Sequence, residues 1–221
     1  MVKIVPAIIA KDINELEKKI SLVKEEADLI QLDIMDNKFV PNKTWRKPDE
    51  LERRGDSPKM EAHLMIKNPH KFIKKWLKSP VKRFLVHWES FNGRERIKEI
   101  NKLIDSVHKN KKEIGIALNP ESDWREIEPF IANLDAVLFL SVHPGFYGKK
   151  FQSDVVTNIK SLRKKYKNVI IEIDGGIKLS NLKKVISSGV DRVVVGSALF
   201  YAENPLTELK KFKKIAESGD K

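Results

Sequence analysis

The stretch VIIEIDGGIKLSNLKKVISSGVDRVVVG, residues 169–196, decides the fold. It opens with a short β-rich run at 169–174 and breaks at a glycine turn, Asp174-Gly175-Gly176-Ile177. Residues 178–188 then carry apolar side chains at helical spacing, and a second β-rich run at 191–196 closes the unit. The hydrophobic period passes from two to 3.6 and back to two. Strand, helix and strand in that order form the crossover unit of a parallel sheet.

The same unit recurs outward in the N-terminal direction. Predicted strands lie at 3–9, 28–34, 59–65, 83–88, 113–118, 136–142, 169–174 and 191–196. Predicted helices lie at 12–26, 69–78, 93–109, 122–132, 152–166, 178–188 and 198–216. Between the second and third strands the pattern is loop-like through 36–47, with a short helical piece near 48–54. Eight strands alternating with about eight helices predict an α/β fold, a single (β/α)8 TIM barrel spanning 1–221. An open doubly wound sheet is the alternative, because the pattern does not itself encode closure. The glycine fingerprint for a dinucleotide is missing after the first strand, which reads PAIIAKD (6–12).

Composition narrows the partners. The formal charge is +12, which favours anions such as nucleic acid or a phosphorylated metabolite. Most lysines, however, fall on helical faces such as 71–79 and 209–218, where they read as solvated surface. No zinc-finger, RNP or KH pattern accompanies them, so nucleic acid is not an expected partner. No run approaches the roughly 18–20 apolar residues of a membrane span. The first residues, MVKIVPAIIAKD, lack the organisation of a signal peptide, and there is no cysteine. Together these predict a cytoplasmic protein with no membrane partner.

In such barrels chemistry sits where strands end. Three glycine turns follow the last three predicted strands: HPGFYGKKF (143–151), DGGI (174–177) and GSALF (196–200). Glycine lets backbone N–H groups approach an anion, and Ser197 opens a helix, where N–H groups are unpaired. The three turns predict a phosphate site. The second strand ends in Asp33, the third carries His63 and the seventh ends in Asp174. The two aspartates are expected from opposite sides of the barrel. A pair of carboxylates facing each other can take a proton from one face of a carbon and return one to the other. Charged residues in otherwise apolar strands are costly, which singles out Asp33 and His63. Asp36 reads as a turn residue, and His87 with Glu89 as a structural or supporting pair. His143 lies beside the glycine loop, whereas His70 and His108 read as helix-surface residues. Met35 and Met65 read as core or as an apolar floor for the substrate.

These residues fall within motifs that resemble the ribulose-phosphate 3-epimerase family: LDIMDNKFVPN (32–42), HLMIKNP (63–69), VHWES (86–90), ALNP (117–120), SVHPGFYGKKF (141–151), IDGGI (173–177) and GSALF (196–200). The resemblance spans nearly the whole chain. It implies a ribulose-phosphate-binding barrel that interconverts D-ribulose 5-phosphate and D-xylulose 5-phosphate, and a homo-oligomer. It also implies a divalent metal (zinc, iron or manganese) that stabilises an enediolate, with Asp33 and Asp174 as both acid–base pair and ligands, and His63 as a third ligand. Gly145, Phe146, Tyr147, Gly148, Gly175, Gly176, Gly196 and Ser197 match its phosphate-binding loops.

Four departures stand out. Gln31 occupies the place of the family's other metal-binding histidine, and an amide oxygen is a poorer zinc ligand than imidazole. Ala7 replaces a serine, Tyr147 enlarges the glycine loop, and Asn37 replaces a glycine. With Gln31 as a weak ligand or the metal lost, turnover is expected to suffer. The alternatives are therefore an epimerase for another ketose phosphate, or a slow or silent sugar-phosphate binder.

Overall fold

A computed structural model describes residues 1–51, 58–146 and 148–218. Eight parallel strands form a closed barrel in chain order: β1 (Lys3–Ile8), β2 (Leu29–Met35), β3 (Lys59–Met65), β4 (Arg83–His87), β5 (Glu113–Leu118), β6 (Ala136–Leu140), β7 (Ile170–Asp174) and β8 (Arg192–Val195). β1 pairs with both β2 and β8, which closes the ring and removes the open-sheet alternative. Around it lie α1 (Ile13–Ser21), α2 (Pro69–Trp76), α3 (Arg96–Lys109), α4 (Val155–Lys165), α5 (Leu179–Ile186), α6 (Ser197–Phe200) and α7 (Pro205–Ser218).

The period-two pleat sorts side chains into two layers. Ile30, Leu32 and Ile34 of β2, Ala62 and Leu64 of β3, and Ile171 and Ile173 of β7 point outward into one large apolar layer beneath the helices. The alternate residues point into the barrel. There, Val5, Ala7, Leu85, Ala117, Leu138, Leu140 and Val194 form a compact apolar plug. Burying a side chain of this size is worth about 1.5–3 kcal/mol, so the two layers set the strand register.

Three predicted helices differ from the structure. The segment 122–132 is a 3-10 helix, Trp124–Asn133, because Pro129 inside it has no N–H for an α-helical bond. The segment 198–216 is two helices. The break falls before Pro205, which disfavours helical geometry at Asn204. The Asn204 side chain instead accepts from the Thr207 N–H at 2.9 Å, capping α7. The first helix stops at Ser21, short of residue 26. The helical piece near 48–54 is a 3-10 turn at Pro48–Glu50, and the rest of it lies outside the described residues.

Below the plug, a charged layer fills the N-terminal end of the barrel. Glu61 and Glu172 are fully buried. Arg83 donates to Glu172 at 2.5 Å and to Glu61 at 3.2 Å, and also pairs with Glu113. Arg192 donates to Glu172 at 2.6 Å. Burial pushes the Glu61 carboxyl up to about 7 against the pull of Arg83. Glu172 is likewise raised well above the ordinary range by burial and by the charge of Glu61.

Candidate active site

At the C-terminal end of the same interior, strand alternation brings four polar side chains together. Gln31 and Asp33 stand two apart on β2, and His63 is the direct register partner of Asp33 on β3. Asp174 ends β7. β2 and β7 lie three strand steps apart in a ring of eight, through β1 and β8, so the aspartates are not diametrically opposed. That shorter separation lets Asp33, His63 and Asp174 each place a ligand atom within 4.8 Å of the others.

Gln31 is fully buried beneath this group. Its Nε2 donates to Asp33 Oδ1 at 2.9 Å and to Asp174 Oδ2 at 2.8 Å. Its Oε1 is buried with no hydrogen-bond partner among the described residues. The orientation has a simple cause: with the amide reversed, two carboxylates would face a third oxygen. His63 Nδ1 lies 3.3 Å from Asp33 and 3.7 Å from Asp174.

The charges are strongly coupled. Burial, then the like charge of Asp33, pushes the Asp174 carboxyl up to about 7. Burial opposes the charged form of His63, but the hydrogen bond and charge of Asp33 outweigh it and raise the imidazole above its ordinary value. His87, fully buried behind His63, is pushed down to about 4 by burial despite Glu89.

Backbone anchors hold the carboxylates in place. Thr44 Oγ1 donates to the Asp33 carbonyl at 2.8 Å and accepts from the Met35 N–H at 2.9 Å. The Ser141 hydroxyl donates to the Asp174 and Gly175 carbonyls. These two anchors, and the bridge made by Gln31, are absent from the sequence reading. Both hydroxyl residues sit in loops or strand ends where nothing in spacing marks them.

Above the carboxylates opens a pocket of about 540 Å³, mouth included. Met35 and Met65 form part of its apolar floor. Gly145, Phe146, Gly148, Gly175, Gly176, Gly196 and Ser197 line its rim, so three glycine turns do converge on one cavity. Lys149 joins them, a cation within the quoted glycine loop that the sequence pattern does not single out. Tyr147 lies outside the described residues. Gly175 and Gly176 have φ of +113° and +60°. A Cβ on Gly175 would meet Val142 at 2.5 Å, and one on Gly176 the Phe151 nitrogen at 2.7 Å.

The remaining candidates separate from this group. Asp36 is a turn residue: it accepts from the N–H groups of Lys38, Phe39 and Lys67. Asn37, next to it, has φ +58°, a conformation asparagine tolerates better than most residues, which accounts for asparagine in a glycine position. Ala7 is buried in the plug and is the register partner of Gln31, so two of the departures are neighbours. His143 is exposed, 3.8 Å from Glu121, and does not line the pocket. His108 pairs with Asp135 at the surface. His70 is half-buried and its Nδ1 is enclosed, so it is not the open surface residue that its helix pattern predicts.

Comparison with known proteins agrees with this geometry. Residues 3–200 match the model of the ribulose-phosphate 3 epimerase family. The ribulose-phosphate 3-epimerase of Schizosaccharomyces pombe is 32% identical over 208 residues, covering 92% of this chain and 89% of its own. That of Aquifex aeolicus is 32% identical over 221 residues, covering 97% and 96%. Among solved structures, 3-hexulose-6-phosphate synthase from Salmonella typhimurium superposes with a TM-score of 0.75 at 19% identity, over 99% of this chain and all of its own. KGPDC from Streptococcus mutans, in its complex with a sugar phosphate, superposes with a TM-score of 0.70 at 13% identity, covering 98% of each chain. The two solved structures share the barrel alone, whereas the sequence matches run the length of the site: the chain belongs to the ribulose-phosphate 3-epimerase family.

Proposed function

We propose that this isomerase interconverts D-ribulose 5-phosphate and D-xylulose 5-phosphate by proton transfer between Asp33 and Asp174. The observation that carries this reading is the pair itself: two carboxylates coupled closely enough that Asp174 is pushed up to about 7. At neutral pH such a pair readily holds one proton, so one member is ready to accept and the other to donate. The glycine turns around Gly145, Gly175 and Gly196, with Lys149, take the phosphate. Its position lays the sugar across Met35 and Met65, with C3 between the carboxylates. Asp33 or Asp174 removes the C3 proton, and the other returns one on the opposite face. The apolar floor excludes water that would otherwise exchange with the transferred proton.

The donor set suits a divalent cation. Asp33, His63 and Asp174 converge, and Gln31 turned over would add its orphaned Oε1. Two carboxylates, an amide oxygen and one imidazole form an oxygen-rich set, which suits manganese or iron(II) better than zinc. A cation there supplies Lewis-acid stabilisation of the oxyanion that develops beside C3.

Incubation with ribulose 5-phosphate in deuterated water, with manganese, iron, zinc or magnesium supplied, is expected to place deuterium at C3. Asp33→Asn and Asp174→Asn are each expected to slow this exchange by about 10²–10⁴-fold. No exchange with any of the four cations at high protein concentration would sink the proposal. One observation favours a second reading, a slow or silent sugar-phosphate binder: Gln31 Nε2 engages both carboxylates at once. That reading predicts tight ribulose 5-phosphate binding without exchange.

A further inference from the structure

His87 and Glu89 have no part in the proton transfer proposed above, yet they are joined to it. The His87 ring stacks on His63 with centroids 5.0 Å apart, and Phe39 packs against it. His87 Nε2 lies 2.8 Å from His63 Nε2. His87 Nδ1 lies 3.2 Å from Glu89 Oε2. The other oxygen of Glu89 accepts from the Asn119 N–H at 2.9 Å and from the Ser122 hydroxyl.

The proton positions follow from these partners. Glu89 is an acceptor on both sides, so His87 Nδ1 must donate to it. A neutral, fully buried His87 has one ring proton, which places a lone pair on its Nε2. His63 Nε2 must then donate to that lone pair. In a neutral His63 ring, Nδ1 is left bare, aimed at Asp33 Oδ1 and Asp174 Oδ2. Three electron-pair donors therefore converge with only the Gln31 N–H groups between them, among the described residues. Such an arrangement calls for a positive charge.

We propose that Glu89, acting through His87, is a positioning residue that fixes His63 in the tautomer whose Nδ1 is ready to ligate a divalent cation. The proposal rests on reading Asp33, His63 and Asp174 as a cation site. Hydrogen-bonded supports of this type orient a ligating imidazole and select its tautomer.

Glu89→Gln tests the relay by inverting it. The two donors at Asn119 and Ser122 draw the new amide oxygen toward themselves, which turns its NH₂ toward His87. His87 Nδ1 must then accept, its Nε2 must donate, and His63 is forced to carry its proton on Nδ1. Nitrogen-15 NMR of histidine-labelled, metal-free protein at alkaline pH reads the tautomers directly. In the wild type, His63 is expected as Nε2–H and His87 as Nδ1–H; in Glu89→Gln both are expected reversed. Manganese affinity of the metal-free protein, measured by titration calorimetry, is expected to fall by about 10–100-fold in Glu89→Gln. His87→Gln, whose side-chain oxygen can reach the place of Nε2, is expected to retain affinity that His87→Leu loses. This pair carries the test if Glu89→Gln fails to fold. A wild-type His63 with its proton on Nδ1 would overturn the proposal. So would a folded Glu89→Gln with unchanged tautomers and unchanged manganese affinity. The tautomer reading involves no metal, so it can fail while cation binding and epimerisation stand.

Discussion

Gln31 shows how one side chain can alter the terms on which a site works. Its amide hydrogens bind two carboxylates whose mutual repulsion is otherwise relieved only by a proton or a cation. An imidazole at this position would offer a lone pair to a cation, whereas the amide must first turn over and give up two hydrogen bonds to carboxylates, each worth about 1.5–3 kcal/mol. Gln31→His is therefore expected to raise zinc affinity by an order of magnitude or more, with a smaller gain for manganese. Competition against a fluorescent chelator measures both. If the same variant also raises the rate of C3 exchange, the wild-type rate is limited by cation occupancy rather than by the carboxylates. The sequence places Gln31 two residues from Asp33, but spacing alone does not reveal which amide atom faces inward. That depends on Asp174, 143 residues away, and only the closed barrel brings it there.

At the scale of elements, the strands and the glycine turns were legible because period-two and period-3.6 patterns are local. The loop of residues 36–44 was legible only as a loop. Its path is fixed by long-range bonds: Thr44 ties it back to Asp33, and Asn42 Nδ2 donates to the Gly145 carbonyl at 2.8 Å, joining it to the turn after β6. The two lips of the pocket are thereby one unit. Asn42→Ala removes that tie without touching the carboxylates. Stability is expected to fall by about 1 kcal/mol, the usual worth of such a bond. In steady-state kinetics KM for the sugar phosphate is expected to rise several-fold while kcat stays nearly unchanged, because the phosphate loop loosens and Asp33 and Asp174 do not move. A fall in kcat as large as the rise in KM would show that the loop also positions the reacting carbon.

For the whole molecule, the barrel interior is three layers: a charged base, an apolar plug and the acid–base cluster. Strand alternation writes all three. Glu61 and His63, Arg83 and His87, and Glu172 and Asp174 share inward faces of their strands. The base was not legible from the rule that chemistry sits at strand ends, because Glu61, Arg83, Glu172 and Arg192 lie at strand starts. Its consequence is a pH dependence of stability. Glu61 and Asp174 are raised to about 7 in the folded chain, and Glu172 is raised in the same direction. Between about pH 4.5 and 7 the native state thus binds more protons at these groups than the unfolded chain, and unfolding free energy falls as pH rises. His63, raised by its carboxylates, adds to the fall above its ordinary value. His87, depressed to about 4, acts the other way between about pH 4 and 6.5, but it is one group against three. Metal-free protein is therefore expected to show a lower urea midpoint at pH 7.5 than at pH 5.5. Glu172→Gln is expected to flatten that slope, since its amide keeps the shape and carries no proton to lose. Saturating manganese is expected to reverse it, because a bound cation favours deprotonated Asp174 and His63 and stabilises only the folded chain. A slope that manganese leaves unchanged would mean that the pH dependence arises wholly in the charged base, below the plug.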